Sequence, residues 1–184
     1  KKDLISSEHE TNLLFILPCT DYRFIFLTTV LKVTKNQTLK VAYLNEGLGQ
    51  ASVVHLDQKE IKLKMISSLE KKVFPKRRLI VGLCRPQTLK RLFEHGSALG
   101  INHFIIVKFK LSDSSYLKSK ILRPEYYREL MLLGLSQSDE YYELPTVEYL
   151  TEFSSIRSEL FQDSTNLILS TRSHKSLLHY PKLE

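Results

Sequence analysis

The chain has 184 residues, 42% of them hydrophobic and 26% charged, with a formal net charge of +7. That is an ordinary globular composition, with room for one good core or two small domains. No apolar run approaches the roughly 20 residues of a membrane helix, so the sequence excludes a helical membrane span.

Residues 1–12 are polar and carry no signal-peptide pattern. The first residue is not Met, as expected of a trimmed start. Leu13 to Leu17 reads as a strand ended by Pro18, and Asp21 as a helix cap. From Tyr22 to Leu31, the apolar residues Phe26, Leu27, Val30 and Leu31 fit a short helix, flanked by Arg23 and Lys32. Three strands follow, Thr38 to Leu44, Gln50 to Leu56 and Glu60 to Ile66. The turn-rich link Asn45-Glu46-Gly47-Leu48-Gly49 joins the first two, and Asp57 to Lys59 makes a second tight turn. Short strands packed around one helix suggest a small barrel. Ser67 to Arg77 is polar, basic and broken by Pro75, and reads as the connection between two domains, 1–72 and 73–184, or as an edge strand.

The second domain opens on an apolar run, Leu79 to Cys84, of the kind expected for a buried parallel strand. Pro86 fits the first helical position. Leu89, Leu92, Phe93 and Leu99 recur as one apolar stripe, and Gly100 fits the left-handed position beyond a helix end. Phe104 to Val107 is a second buried strand, so the unit is strand–helix–strand with a right-handed crossover. Lys110 to Lys120 reads as a polar loop. Arg123-Pro124 opens a helix to about Leu135, with Tyr127, Leu130, Met131 and Gly134 at helical spacing. Gln137 to Tyr142 is polar, Leu144 to Val147 extended, and Phe153 to Phe161 helical. Asn166 to Ser170 reads as a third parallel strand. The fold class is therefore α/β.

Charge is unevenly spread. Residues 1–77 hold 13 basic and 8 acidic side chains, against 14 and 12 in 78–184. The excess in the first part suits a polyanion partner or a solvated basic surface. Lys71, Lys72, Lys76, Arg77 and Arg78 form the densest cluster, either a nucleic-acid contact or a solvated linker. Cys19 and Cys84 each adjoin an apolar run and read as buried, reduced thiols, which suits the cytoplasm. There is no Walker loop, GxGxxG, CxxC pair or GxSxG elbow, and the six histidines lack zinc-ligand spacing, so no metal is expected. His95 and His103 read as surface or packing residues, and Asp139, Glu140 and Glu143 as a solvated loop. From the residues alone, the chain is a basic barrel joined to an α/β domain, with no named reaction.

The order of these pieces resembles the RsmE-type ribosomal RNA uridine-N3 methyltransferases of the knotted SPOUT class, from about Leu14 to Ser170. Val30-Leu31-Lys32 is similar to the family's Val-Leu-basic motif. Arg85 stands where the family usually has Lys, and Leu99-Gly100 match a Glu-Leu-Gly turn whose Glu is Ala98 here. Ser115-Tyr116-Leu117-Lys118-Ser119 with Leu122 resembles one branch, as does Gly134-Leu135-Ser136-Gln137 followed by Leu144-Pro145. The resemblance implies a PUA-like barrel, then a SPOUT-type parallel-sheet domain. It also implies S-adenosylmethionine as cofactor, small-subunit ribosomal RNA as partner, and a homodimer. Arg23, Lys32, Arg77 and Arg85 are the implied RNA contacts. Ser170 and Thr171, at the carboxyl end of the expected last strand, would border the cofactor; no catalytic base is named. The family's glycine-rich Gly-Pro-Glu-Gly-Gly loop has no counterpart, since the last of 6 glycines is Gly134. The expectation is thus a fragment or truncated form of the catalytic domain, with a non-catalytic RNA-binding module or remnant as the alternative.

Overall fold

The computed structural model describes residues 4–5, 13–170 and 172. The first half of the chain builds one antiparallel sheet from β1 (Leu4–Ile5), β2 (Leu14–Pro18), β3 (Thr38–Tyr43), β4 (Gly47–Leu56) and β5 (Glu60–Met65). Their order is β1-β2-β5-β4-β3. Alternation in the strands decides which side is buried. Leu17, Ala51, Val53, Ile61, Leu63 and Met65 meet on one face and exclude water there. The β3–β4 hairpin is tighter than expected: β4 starts at Gly47, and Asn45 takes the left-handed conformation (φ 63°) that so short a loop requires. The β4–β5 turn is locked by Asp57, whose carboxylate accepts from the Lys59 and Glu60 N–H groups at 2.7 and 2.9 Å. Those bonds, with His55 beside it, hold its carboxyl down to about 2.

Asp21 caps the helix after β2, as expected, accepting from the Arg23 N–H at 2.8 Å. The helix is α1 (Tyr22–Ile25), which widens into a π-helical stretch over Phe26–Val30. Its inward contact is narrow. Phe24 is the buried anchor, with Leu27 packed beside it, while Phe26, Val30 and Leu31 face solvent. The wider π turn rotates the residues that follow out of α-helical phase.

The second half forms a parallel sheet of β6 (Arg78–Gly82), β7 (His103–Val107) and β8 (Thr146–Leu150), in the order β6-β7-β8. On one face, α2 (Pro86–Ala98) and α3 (Pro124–Ser136) cover Leu79, Val81, Phe104, Ile106 and Val147. Phe93 stands edge-on to Phe104 at 5.3 Å and tilted against Tyr127 at 5.5 Å. Leu99, expected on this stripe, is 70% exposed. The chain has already turned there, because Gly100 follows at φ +79° with the Tyr141 ring where a Cβ would lie.

The third strand is thus Thr146–Leu150, not Asn166–Ser170. A parallel strand was expected to be continuously apolar, and β8 carries Glu148 in its middle. That charge is met by His103 at 3.5 Å and Arg157 at 3.9 Å, so the strand tolerates it. Residues 166–170 have no assigned secondary structure, and Ile168 is 91% exposed. The expected helix from Phe153 to Phe161 is two short 3₁₀ turns, Phe153–Ser155 and Ser158–Phe161. They form a strap over the other sheet face, tied down where Arg78 donates to the Leu160 carbonyl at 3.0 Å. The polar loop after β7 also contains 3₁₀ turns, at Ser114–Lys118 and Lys120–Leu122.

The two sheets are stapled together by the loop after α3. The Asn45 N–H donates to the Tyr142 carbonyl at 2.9 Å, and the Leu144 N–H to the Asn45 side chain at 2.8 Å. The Tyr142 hydroxyl accepts from the Lys72 N–H at 2.7 Å and donates to the Lys72 carbonyl at 3.1 Å. Phe74 packs against both Tyr141 and Tyr142. Tyr142→Phe removes both of these bonds. Lys72 is exposed and water can reach its backbone, so the expected cost is about 0.5–1.5 kcal/mol, read as a lower urea midpoint with unchanged slope.

Among the described residues no helix is long and apolar enough to cross a membrane.

Candidate functional site

In an open parallel sheet the strands end together, and side chains just beyond their carboxyl ends converge on one rim. Here β6 ends at Gly82, β7 at Val107 and β8 at Leu150, in register. Backbone bonds carry that alignment past the strands. The Leu83 N–H donates to the Val107 carbonyl at 2.7 Å, and the Lys108 N–H to the Leu150 carbonyl at 2.8 Å. Lys108, Phe109 and Lys110 therefore stand beside Thr151, Glu152 and Phe153, around an open cavity of about 380 Å³. The rings of Phe109 and Phe153 stack with centroids 5.8 Å apart. Gly82 makes room for them, since a Cβ there would lie 3.0 Å from the Phe109 ring. The Phe109 N–H donates to the Ser112 hydroxyl at 3.1 Å, which fixes the loop that carries both lysines.

Arg85 follows β6 by three residues, exposed, and caps the start of α2 by its backbone. The rim thus offers two ammonium groups, a neighbouring guanidinium, one carboxylate and a stacked pair of exposed rings. Such a set can hold a molecule with an anionic end, a cationic centre and a flat aromatic part. Cys84 is half-buried and its thiol is pushed up by burial, which leaves it a poor nucleophile. Cys19, expected to be buried, is exposed, because it follows Pro18 out of the sheet into the turn before α1.

The sequence-derived contacts divide between the two halves of the chain. Arg23 lies on α1, where its guanidinium meets the Asp21 carboxylate at 2.6 Å, and that pair holds the Asp21 carboxyl below its ordinary value. Lys32 follows the π-helical stretch, exposed, in the left-handed conformation (φ 48°). Arg77 is turned toward its own chain: the guanidinium donates to the Tyr141 hydroxyl and, at 3.4 Å, to the Leu99 carbonyl, with its carbon 5.7 Å from the Tyr141 ring centre. Within the basic cluster Arg78 is likewise tied to the strap, and Lys71 reaches Glu46 at 3.6 Å. Of the five singled-out residues that are described, only Arg85 stands at the rim. Ser170 is exposed beyond the strap and ends no strand; Thr171 lies outside the described residues. The positions beside the last strand's carboxyl end are Thr151 and Glu152 instead.

Lys108, Phe109, Lys110, Glu152 and Phe153 were not legible as a site. Once Phe104 to Val107 was read as a buried strand, the Lys-Phe-Lys directly after it was the available signal. His103 is a packing residue, as read. Burial pushes its imidazole down, Glu148 pulls it up, and Arg78 and Arg157 push it down again.

A family model described as an RNA methyltransferase domain matches residues 71–184. Ribosomal RNA small subunit methyltransferase E of Treponema pallidum (strain Nichols) is 29% identical over 166 residues, covering 86% of this chain and 61% of that protein. Ribosomal RNA small subunit methyltransferase E 1 of Borreliella burgdorferi is 24% identical over 160 residues, covering 86% of this chain and 67% of that one. The chain thus spans about two thirds or less of the length of these relatives. Among solved structures, a ribosomal RNA small subunit methyltransferase E from Neisseria gonorrhoeae bound to S-adenosyl methionine has a similar fold. Its TM-score is 0.57 at 13% identity, over 83% of this chain and 64% of that one.

Proposed function

The chain belongs to the RNA methyltransferase domain family, and from that premise we propose that it takes part in S-adenosylmethionine-dependent methylation of small-subunit ribosomal RNA. The observation that carries this reading is the rim beyond β6, β7 and β8, where Lys108, Lys110 and Glu152 surround the Phe109–Phe153 pair. The donor set fits such a cofactor. Glu152 would face its sulfonium, Lys108 or Lys110 its carboxylate, and the rings its adenine. When bound, that cofactor supplies an electrophilic methyl group. The chain's own residues bind and orient.

We take N3 of a uridine as the acceptor, as in the family it resembles. N3 lies on the Watson–Crick edge, so the base must be unpaired or turned out before a methyl group can reach it. Arg85, with Arg23 and Lys32 on the first module, would hold the RNA backbone, a task that carries no sequence information. Arg77 can add only the donors it does not already direct to Tyr141 and Leu99. In this reading residues 1–72 are a PUA-like RNA-gripping module and residues 73–184 a SPOUT-type catalytic module. The homodimer and the cytoplasmic location belong to the same reading. A non-catalytic RNA-binding module is the second reading, favoured by the excess of 13 basic over 8 acidic side chains in residues 1–77.

Incubation of the chain with methyl-labelled S-adenosylmethionine and small ribosomal subunits, followed by nucleoside analysis of the RNA, tests the reading. Label in N3-methyluridine is expected. RNA binding without transfer would establish the second reading instead.

A further inference from the structure

We propose that the exposed face of the helical segment 22–31 is a stacking platform for unpaired nucleobases. Tyr22 and Phe26 would take the bases, and Lys32 and Lys35 the phosphates between them.

The segment is unusual in what it leaves in water. A short surface helix ordinarily turns its apolar side to the core and its polar side outward. Here Phe24 supplies the buried contact, and Tyr22, Ile25, Phe26, Val30 and Leu31 stand on the surface, 60% exposed at Tyr22 and 63% at Val30. Tyr22 and Phe26 are four residues apart, so their side chains neighbour each other along the helix. The widening begins at Phe26, whose carbonyl accepts from the Leu31 N–H at 3.1 Å. Such π-type turns are often found where a helix is shaped for a ligand. Val33 is buried and its N–H donates to the Leu27 carbonyl at 3.0 Å, so the segment is anchored at both ends.

Charge selects the occupant. Residues 22–45 contain Arg23, Lys32, Lys35 and Lys40 and no Asp or Glu. The nearest preceding acid, Asp21, is already paired with Arg23. Lys40 turns away to the Asp139 carbonyl, and Lys32 and Lys35 remain exposed beside the apolar face. Exposed aromatic rings beside two exposed lysines are the chemistry of single-stranded nucleic acid binding. Every base has a face to stack, and the backbone needs only cations. A partner protein of ordinary composition would leave these lysines unmatched.

The inference rests on the proposed function only in taking RNA as the polyanion. It is tested by fluorescence anisotropy with a labelled single-stranded oligouridylate and with a matched RNA duplex, on the whole chain. Tyr22→Ala and Phe26→Ala are each expected to weaken single-strand binding by about tenfold, with duplex binding and the salt dependence unchanged. Tyr22→Phe, which keeps the ring, should bind like the wild type. Lys32→Ala should instead flatten the slope of log affinity against log salt by about 0.7. Equal single-strand affinity in wild type and both alanine variants would overturn the proposal. So would a loss of self-association in the variants, seen by sedimentation, with RNA binding untouched. Wild-type chain that does not bind the oligonucleotide would overturn it as well. Binding of S-adenosylmethionine by the same proteins reports separately on the rim. If the cofactor binds while the stacking variants behave as wild type, this inference alone fails. The reverse pattern leaves this inference standing and removes the assignment of the rim.

Discussion

Gly134→Ala is expected to lower the melting temperature of the chain, although alanine is the better helix former. Gly134 sits in α3 where that helix crosses α2. A Cβ added there would lie 2.0 Å from the Glu94 carbonyl oxygen and 3.1 Å from the Ser97 Cβ. The obstacle is main chain, which cannot swing aside as a side chain could. Ser97 itself is fully buried, with its hydroxyl donating to the Phe93 carbonyl at 2.7 Å. The helices must therefore move apart over Phe93, Phe104 and Met131. Overpacking of this kind costs about 1–3 kcal/mol or more, and a clash with backbone belongs at the upper end. The gain from replacing a helical glycine is about 1 kcal/mol, so the loss wins. In a domain of this size each 1 kcal/mol shifts the midpoint by about 2–4 °C. Gly134→Val should be worse than Gly134→Ala. An alanine variant that melts higher than the wild type would show that α2 and α3 do not meet at this distance.

The second large effect concerns charge at the rim. The combined variant Arg85→Ala, Lys108→Ala, Lys110→Ala is expected to lose RNA affinity at low salt and to be less sensitive to added salt. None of the three has a hydrogen-bond or ion-pair partner on its side chain among the described residues, so folding should be little affected. One lysine is reserved for the donor carboxylate, so Arg85 and the other lysine are the phosphate contacts; at about 0.7 each in the slope of log affinity against log salt, they contribute about 1.4. Between 50 and 200 mM salt the wild type should then lose about sevenfold more affinity than the variant. Parallel salt plots would mean that the RNA does not cross the rim.

These residues also show how far the chain could be read before its structure was known. The strand–helix–strand unit from Leu79 to Val107 was legible because its apolar runs, Pro86 and Gly100 act locally. The same holds for the hairpin around Asn45 and the helix opened by Pro124. The third strand was not, because its identity depends on a partner distant in sequence. Glu148 disguises β8 until His103 and Arg157 are seen beside it. The apolar run Leu167-Ile168-Leu169 looks like a strand but pairs with nothing among the described residues. With the third strand at Thr146–Leu150, the positions beside its carboxyl end are Thr151 and Glu152 rather than Ser170 and Thr171. Arg77 was legible as a cation but not as a residue turned toward Tyr141, since only the fold brings the two together. The outward turn of Val30 and Leu31 is hidden as well, because the π-helical stretch that begins at Phe26 breaks the 3.6-residue period.

The parallel-sheet rim is the proposed binding place of the methyl donor. Calorimetric titration of S-adenosylmethionine into the wild type, Glu152→Gln and Phe153→Ala tests it most directly. Saturable one-to-one binding by the wild type, weakened in both variants without loss of their folded signal, is the predicted result. No saturable heat with the wild type, or equal affinity in all three proteins, would contradict it.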